Sequence, residues 1–145
     1  FSFIALKKHL LESKAWNKLT KKQVAVFIYL WSCMQWSSVG KGVKRHPVVT
    51  NNGKIEVSSI IMGRKLKISK QTTSHAIHVL IELGFIKLTR VGENKVCHMY
   101  KILYDVVPQH EERWRRYPTE NWKDECPVAP NKLVGKATRF KSHPN

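Results

Sequence analysis

The stretch SKQTTSHAIHVLIELGF, Ser69 to Phe85, places hydrogen-bonding side chains at the front of an apolar helical stripe. Thr73, Ala76, Ile77 and Leu80 recur at helical spacing and mark the inward face. Lys70, Gln71, Thr72, Ser74, His75 and His78 fall outside that stripe near the start of the helix, with no carboxylate among them. Short donors and acceptors of this kind suit a helix that enters the DNA major groove by its N-terminus. Gln pairs with adenine through two hydrogen bonds, Thr meets the thymine methyl, and Lys reaches guanine or phosphate. A merely solvated polar face is the plainer account of the same residues.

Other chemistries fit less well. His75, His78 and Glu82 share one helical face and suggest three metal ligands. No fourth ligand stands nearby in the sequence, so no metal site is expected. Cys97 and His98 are neighbours in an expected strand; they then point to opposite faces and cannot act as nucleophile and base. Glu12, Glu56, Glu82, Glu93 and Asp105 include no clustered pair for two-metal hydrolysis. The phosphate-cradling pattern GxxxxGK[ST] is absent. Neither an enzyme nor a cofactor or small-molecule ligand is expected.

Charge points to the partner. The chain has 145 residues with 26 Lys and Arg against 10 Asp and Glu, a formal charge of +16. Such an excess repels itself in a compact state and calls for an acidic partner. Nucleic acid comes first and an anionic membrane second. Residues 1–105 hold 18 basic and 5 acidic residues, a net +13, so the basic character belongs to that part. A hydrophobic share of 42% with five Trp supplies one core. No run of about 18 apolar residues spans a bilayer, and no secretory leader is read at Phe1. Cys33, Cys97 and Cys126 are odd in number and lack CxxC spacing. Reduced thiols and a cytoplasmic, nucleoid-associated location are expected.

The positioning elements follow from local signals. FIALKKHLLESKAWNKLT reads as an extended piece, then one or two helical turns ending near Leu19. Thr20 with Gln23 makes a capping box for a helix from Thr20 to Trp36. Val24, Phe27, Ile28 and Trp31 give its core stripe, while Val26, Tyr29, Leu30 and Cys33 lie on the other side. A helix apolar on both sides needs a second cover, either the chain's own ends or a homodimer through this helix. VGKGVKRHPVVTNNG reads as a loop and KIEVS as a short strand. SSIIMGRKL reads as a helix capped by Ser58 or Ser59, KI as a tight turn, and Ser69 as the next cap. Gly84 closes that helix. FIKLTR and VCHMYKILY alternate as two strands around VGENK. In the tail, ERWRRYP mixes Arg with aromatics. It either stacks on single-stranded nucleic acid or folds back to cover the apolar helix with Trp114, Tyr117 and Trp122. NKLVGKATRFKSHPN reads as a basic, mobile end.

SSIIMGRKLKISKQTTSHAIHVLIELGFIKLTR resembles the winged helix-turn-helix domains of bacterial regulators. With AWNKLT, NNGKIEVS and YKILY it looks closer to replication-initiation and regulatory proteins of phages and plasmids. The resemblance implies a mainly α, α+β fold with a small β-hairpin over 1–105, and a basic, aromatic-containing extension over 106–145, partly folded back or mobile. It implies a sequence-specific duplex-DNA-binding protein, either a transcription regulator or a replication-initiation factor. Ser69 to Leu83 is then the recognition helix, with base contacts from Lys70, Gln71, Thr72, Ser74, His75 and His78. Lys67, Lys87, Arg90 and Lys95 are then backbone or wing contacts. Lys67 stands where the family often has glycine, and Gly63 where it prefers alanine. Lysines on an edge hairpin also prevent sheet-to-sheet aggregation, so the wing has a second account. An RNA or single-strand binding module and a protein-interaction domain remain the other function classes.

Overall fold

A computed structural model describes residues 4–127. The order is α1 (Lys8–Leu11), α2 (Lys14–Asn17), α3 (Lys21–Ser32), β1 (Trp36–Val39), β2 (His46–Val49), β3 (Ile55–Glu56), α4 (Ser59–Leu66), α5 (Lys70–Leu83), β4 (Ile86–Arg90) and β5 (Met99–Ile102). Three 3-10 turns follow in the extension. The fold is α+β. α3 and α5 pack on each other, and a three-stranded antiparallel sheet, ordered β3-β5-β4, closes the core beside them. Leu10, Phe27, Leu30, Met62, Leu80, Phe85, Ile86 and Tyr104 lie within that core. The expected basic end NKLVGKATRFKSHPN lies outside the described residues.

α3 begins as the capping box requires: Thr20 accepts from the Gln23 backbone N–H, and the Gln23 side chain accepts from the Thr20 N–H at 3.0 Å. Its end and its phase differ from the reading of the sequence. The helix stops at Ser32, and Trp36 opens a strand. The core side is Gln23, Val26, Phe27, Leu30 and Trp31, whereas Val24 and Ile28 are only half-buried. Several phases of a helix this rich in apolar residues look alike, and packing against α5 selects one. With Val26 and Leu30 inside, the outward apolar surface is a smaller platform for a second copy than the sequence suggested.

The supposed loop VGKGVKRHPVVTNNG is largely a second hairpin. β1 and β2 pair antiparallel from Trp36↔Val49 to Val39↔His46. Gly40, at φ +95°, allows the tight reversal; a Cβ there would stand 2.5 Å from the Lys44 carbonyl oxygen. Pro47 is tolerated because a two-stranded ribbon leaves each strand one unpaired edge. β5 likewise starts only at Met99, so Cys97 and His98 precede the strand rather than alternating within it.

The start of the extension folds back, on different ground from the second face of α3. Trp114 stacks on Phe85, with centroids 6.1 Å apart and planes at 15°, and its indole N–H donates to the Leu103 carbonyl at 3.1 Å. The Trp122 N–H donates to the Glu82 carbonyl at the end of α5. Gly84 makes this approach possible. A Cβ on it would stand 2.6 Å from the Arg113 Cβ and 2.7 Å from the Trp114 nitrogen.

Candidate nucleic-acid interface

Two capped helices meeting at a close crossing form the site. Ser58 accepts from the backbone N–H groups of Ile60 and Ile61 and starts α4. Ser69 accepts from Thr72 N–H and starts α5, leaving the first turn of α5 free of any acid. Between them Lys67 takes a left-handed conformation, φ 58° and ψ 44°, a position that glycine fills without strain. The close approach rests on Gly63: a Cβ there would lie 2.8 Å from the Ile68 carbonyl oxygen and 3.1 Å from the Thr73 hydroxyl. Thr73 is buried and donates to the Ser69 carbonyl at 2.9 Å.

On α5, Lys70, Gln71 and His75 are exposed, and Ser74 is half-buried beside them. Thr72 and His78 are more committed. The Thr72 hydroxyl oxygen accepts from the Ser69 hydroxyl at 2.8 Å. His78 is half-buried, and its carbonyl accepts from the Cys126 thiol at 3.4 Å, so the extension borders it. Burial first, then the like charges of His75 and His98, hold the His78 imidazole below the ordinary histidine pKa. Among the described residues no three His, Cys, Asp or Glu side chains gather as metal ligands.

The β4–β5 hairpin divides its cations. Lys95 is exposed in the turn, at φ 71°. Arg90 turns inward: its guanidinium donates to Glu56 at 2.7 Å and to the Cys97 carbonyl at 2.8 Å. Lys87 sits opposite Lys101 near the sheet's other end rather than flanking the turn. There Lys101 donates to Glu111 at 2.7 Å and holds that carboxyl below the usual range, with Lys87 adding to the effect.

Arg64 and Lys65 are exposed on α4 and carry no motif that marks them in the sequence. A plainer signal finds them: no Asp or Glu occurs from Val57 to Ile81. Among the described residues, all six ion pairs lie elsewhere. They join Lys7–Asp105, Arg90–Glu56, Lys101–Glu111, Arg113–Glu125, Arg115–Glu112 and Arg116–Glu120. Arg64, Lys65, Lys67 and Lys70 are therefore cations without carboxylate partners among the described residues. Among those residues no helix is long and apolar enough to cross a membrane. Comparisons with protein-family models, curated proteins and solved structures find no match to the chain.

Proposed function

We propose that this chain is a sequence-specific duplex-DNA-binding protein of the winged helix-turn-helix type, acting by binding rather than catalysis. α5 enters the major groove and presents Lys70, Gln71, Ser74 and His75 to base edges. Lys67, Arg64 and Lys65 meet phosphates, and Lys95 carries the wing to the backbone or minor groove. The observation that bears most on this reading is the acid-free, unpaired surface of two capped helices, which a polyanion complements. Regulation of transcription or initiation of replication on a mobile element is the role the resemblance favours. Binding of single strands by stacking has less support, because Tyr100 in β5 and Tyr104 just after it are buried.

Competition titration of Gln71→Ala against selected and random duplexes tests the reading. Selection from a random duplex library supplies the preferred site. The variant should lose about 1–3 kcal/mol on that site and little on random DNA, since base contacts specify while phosphate contacts position. Equal weakening on both, with the fold intact, removes α5 as the reader.

A further inference from the structure

The hairpin of β1 and β2 has no role in the site just described, and its construction is unusual. From Ser37 to Pro47 every residue is exposed. Two-stranded hairpins standing alone are marginal in water, yet the root of this one is fastened with care. Asn51 accepts from Gln35 N–H at 2.7 Å and donates to the Cys33 carbonyl at 3.1 Å. Asn52 brackets Ile102, accepting its N–H at 2.7 Å and donating to its carbonyl at 3.0 Å. Trp36 and Val49, the first cross-strand pair, pack against the core. The result is an arm anchored at its root by Trp36 and Val49 and, among the described residues, exposed from Ser37 to Pro47.

Its tip is narrow and basic. Gly40 and Gly42 turn the chain at positive φ, and Lys41, Lys44 and Arg45 surround a fully exposed Val43. None of the three cations has an ion pair among the described residues. No acid occurs anywhere from Ser13 to Ile55. The arm's root lies beside Ile102, at the far end of β5 from the β4–β5 turn. The roots of arm and wing thus lie at opposite ends of β5.

We propose that this arm is a second duplex-DNA-binding element, gripping phosphates outside the segment read by α5 and laying Val43 against the groove wall. The proposal rests on the DNA-binding reading above and adds a grip on the duplex that the helix pair does not make. Charge complementarity selects a polyanion. A ribbon two strands wide, about 5 Å between strand axes, enters a major groove about 12 Å wide. A membrane is the weaker match, because Val43 is the sole apolar side chain between Gly40 and Pro47.

Fluorescence anisotropy on 30-base-pair duplexes, selected and random, across a salt series tests the arm. The full chain is compared with Lys41→Ala/Lys44→Ala/Arg45→Ala and with Val43→Ser. Thermal melts confirm that each variant folds; all four positions are exposed, so the midpoints should match. The triple variant should bind both duplexes about ten- to a hundred-fold more weakly. Its slope of log K against log salt should be shallower by roughly two to three units, near 0.9 for each phosphate no longer neutralised. Val43→Ser should weaken binding about three- to tenfold with an unchanged slope, as removal of an apolar, uncharged side chain requires. Wild-type binding with no change in the triple variant overturns the arm alone. A wild-type chain that fails to bind any duplex overturns the DNA reading and the arm with it. Triple-variant loss on anionic phosphatidylglycerol vesicles, with duplex binding intact, assigns the arm to a membrane and overturns the proposal.

Discussion

The two hairpins are both basic, and they treat their cations in opposite ways. In the wing, Arg90 is bonded to Glu56 and Cys97, Lys101 is paired with Glu111, and Ile86, Tyr100 and Ile102 bury one face in the core. The arm's cations have no ion pair among the described residues, and no residue between Trp36 and Val49 is buried. One hairpin uses much of its charge to hold itself in place, while the other keeps its charge available. Counting Lys and Arg along the chain does not separate these cases. The carboxylates that the fold brings beside each cation do.

The largest way to strain this contrast is at the joint bracing the wing. Gly84→Ala forces a left-handed Ala and drives its Cβ into Arg113 and Trp114. A destabilisation of about 2–4 kcal/mol is expected from the strained backbone and the overpacking together. Urea denaturation measures it; a loss below about 1 kcal/mol would mean that the extension does not brace the wing. A smaller effect separates the hairpins directly. Arg90→Ala removes an exposed ion pair and a bond to a carbonyl, and should cost about 1 kcal/mol. Lys44→Ala on the arm should change stability by less than about 0.5 kcal/mol. Equal costs at the two positions would erase the distinction.

The smallest expected effect is a dependence on pH confined to the wing and its neighbour α5. His98 accepts the Gly92 N–H at 2.8 Å, and burial holds its imidazole below the ordinary pKa, as it does for His78. Both are thus favoured as neutral rings in the folded state. Their contribution is complete above the unfolded value, about 6.5, and is lost as pH falls through the lower folded values. Amide exchange at Gly92 should quicken relative to its unfolded-chain rate as pH falls from 7.5 to 5. The arm's amides should keep their protection, because its one ring contact, His46 Nδ1 at 2.9 Å from the Lys44 oxygen, involves a carbonyl and not an amide N–H. His98→Asn should remove the difference. An unchanged Gly92 protection factor in wild type over that range would contradict this account.

Local signals proved dependable where one residue's chemistry decides the outcome. Thr20 with Gln23, Ser58, Ser69 and Gly84 were legible as helix boundaries, because caps satisfy backbone groups within a few residues of themselves. The same holds for the inward stripe of α5 and the small residue at Gly63. The arm was not legible. Gly40, Gly42 and Pro47 signal a loop, and Ser37, Ser38, His46 and Pro47 give the two strands no alternating apolar face to mark them. Asn51 and Asn52 read as a turn, although their amides tie distant backbone together. The phase of α3 was hidden for the opposite reason, an excess of apolar residues on every side.

What the sequence determined alone is the capping residues Thr20, Ser58, Ser69 and Gly84, the basic excess, and the acid-free run from Val57 to Ile81, all properties of near neighbours or of composition. Only the tertiary structure decided which cations stay available. Arg90 meets Glu56 across 34 positions of chain, and Asn52 meets Ile102 across 50. Lys41, Lys44 and Arg45 meet no carboxylate among the described residues. Such pairings depend on how the elements pack, and a charge whose partner is distant in sequence looks, in the sequence, the same as one that has none.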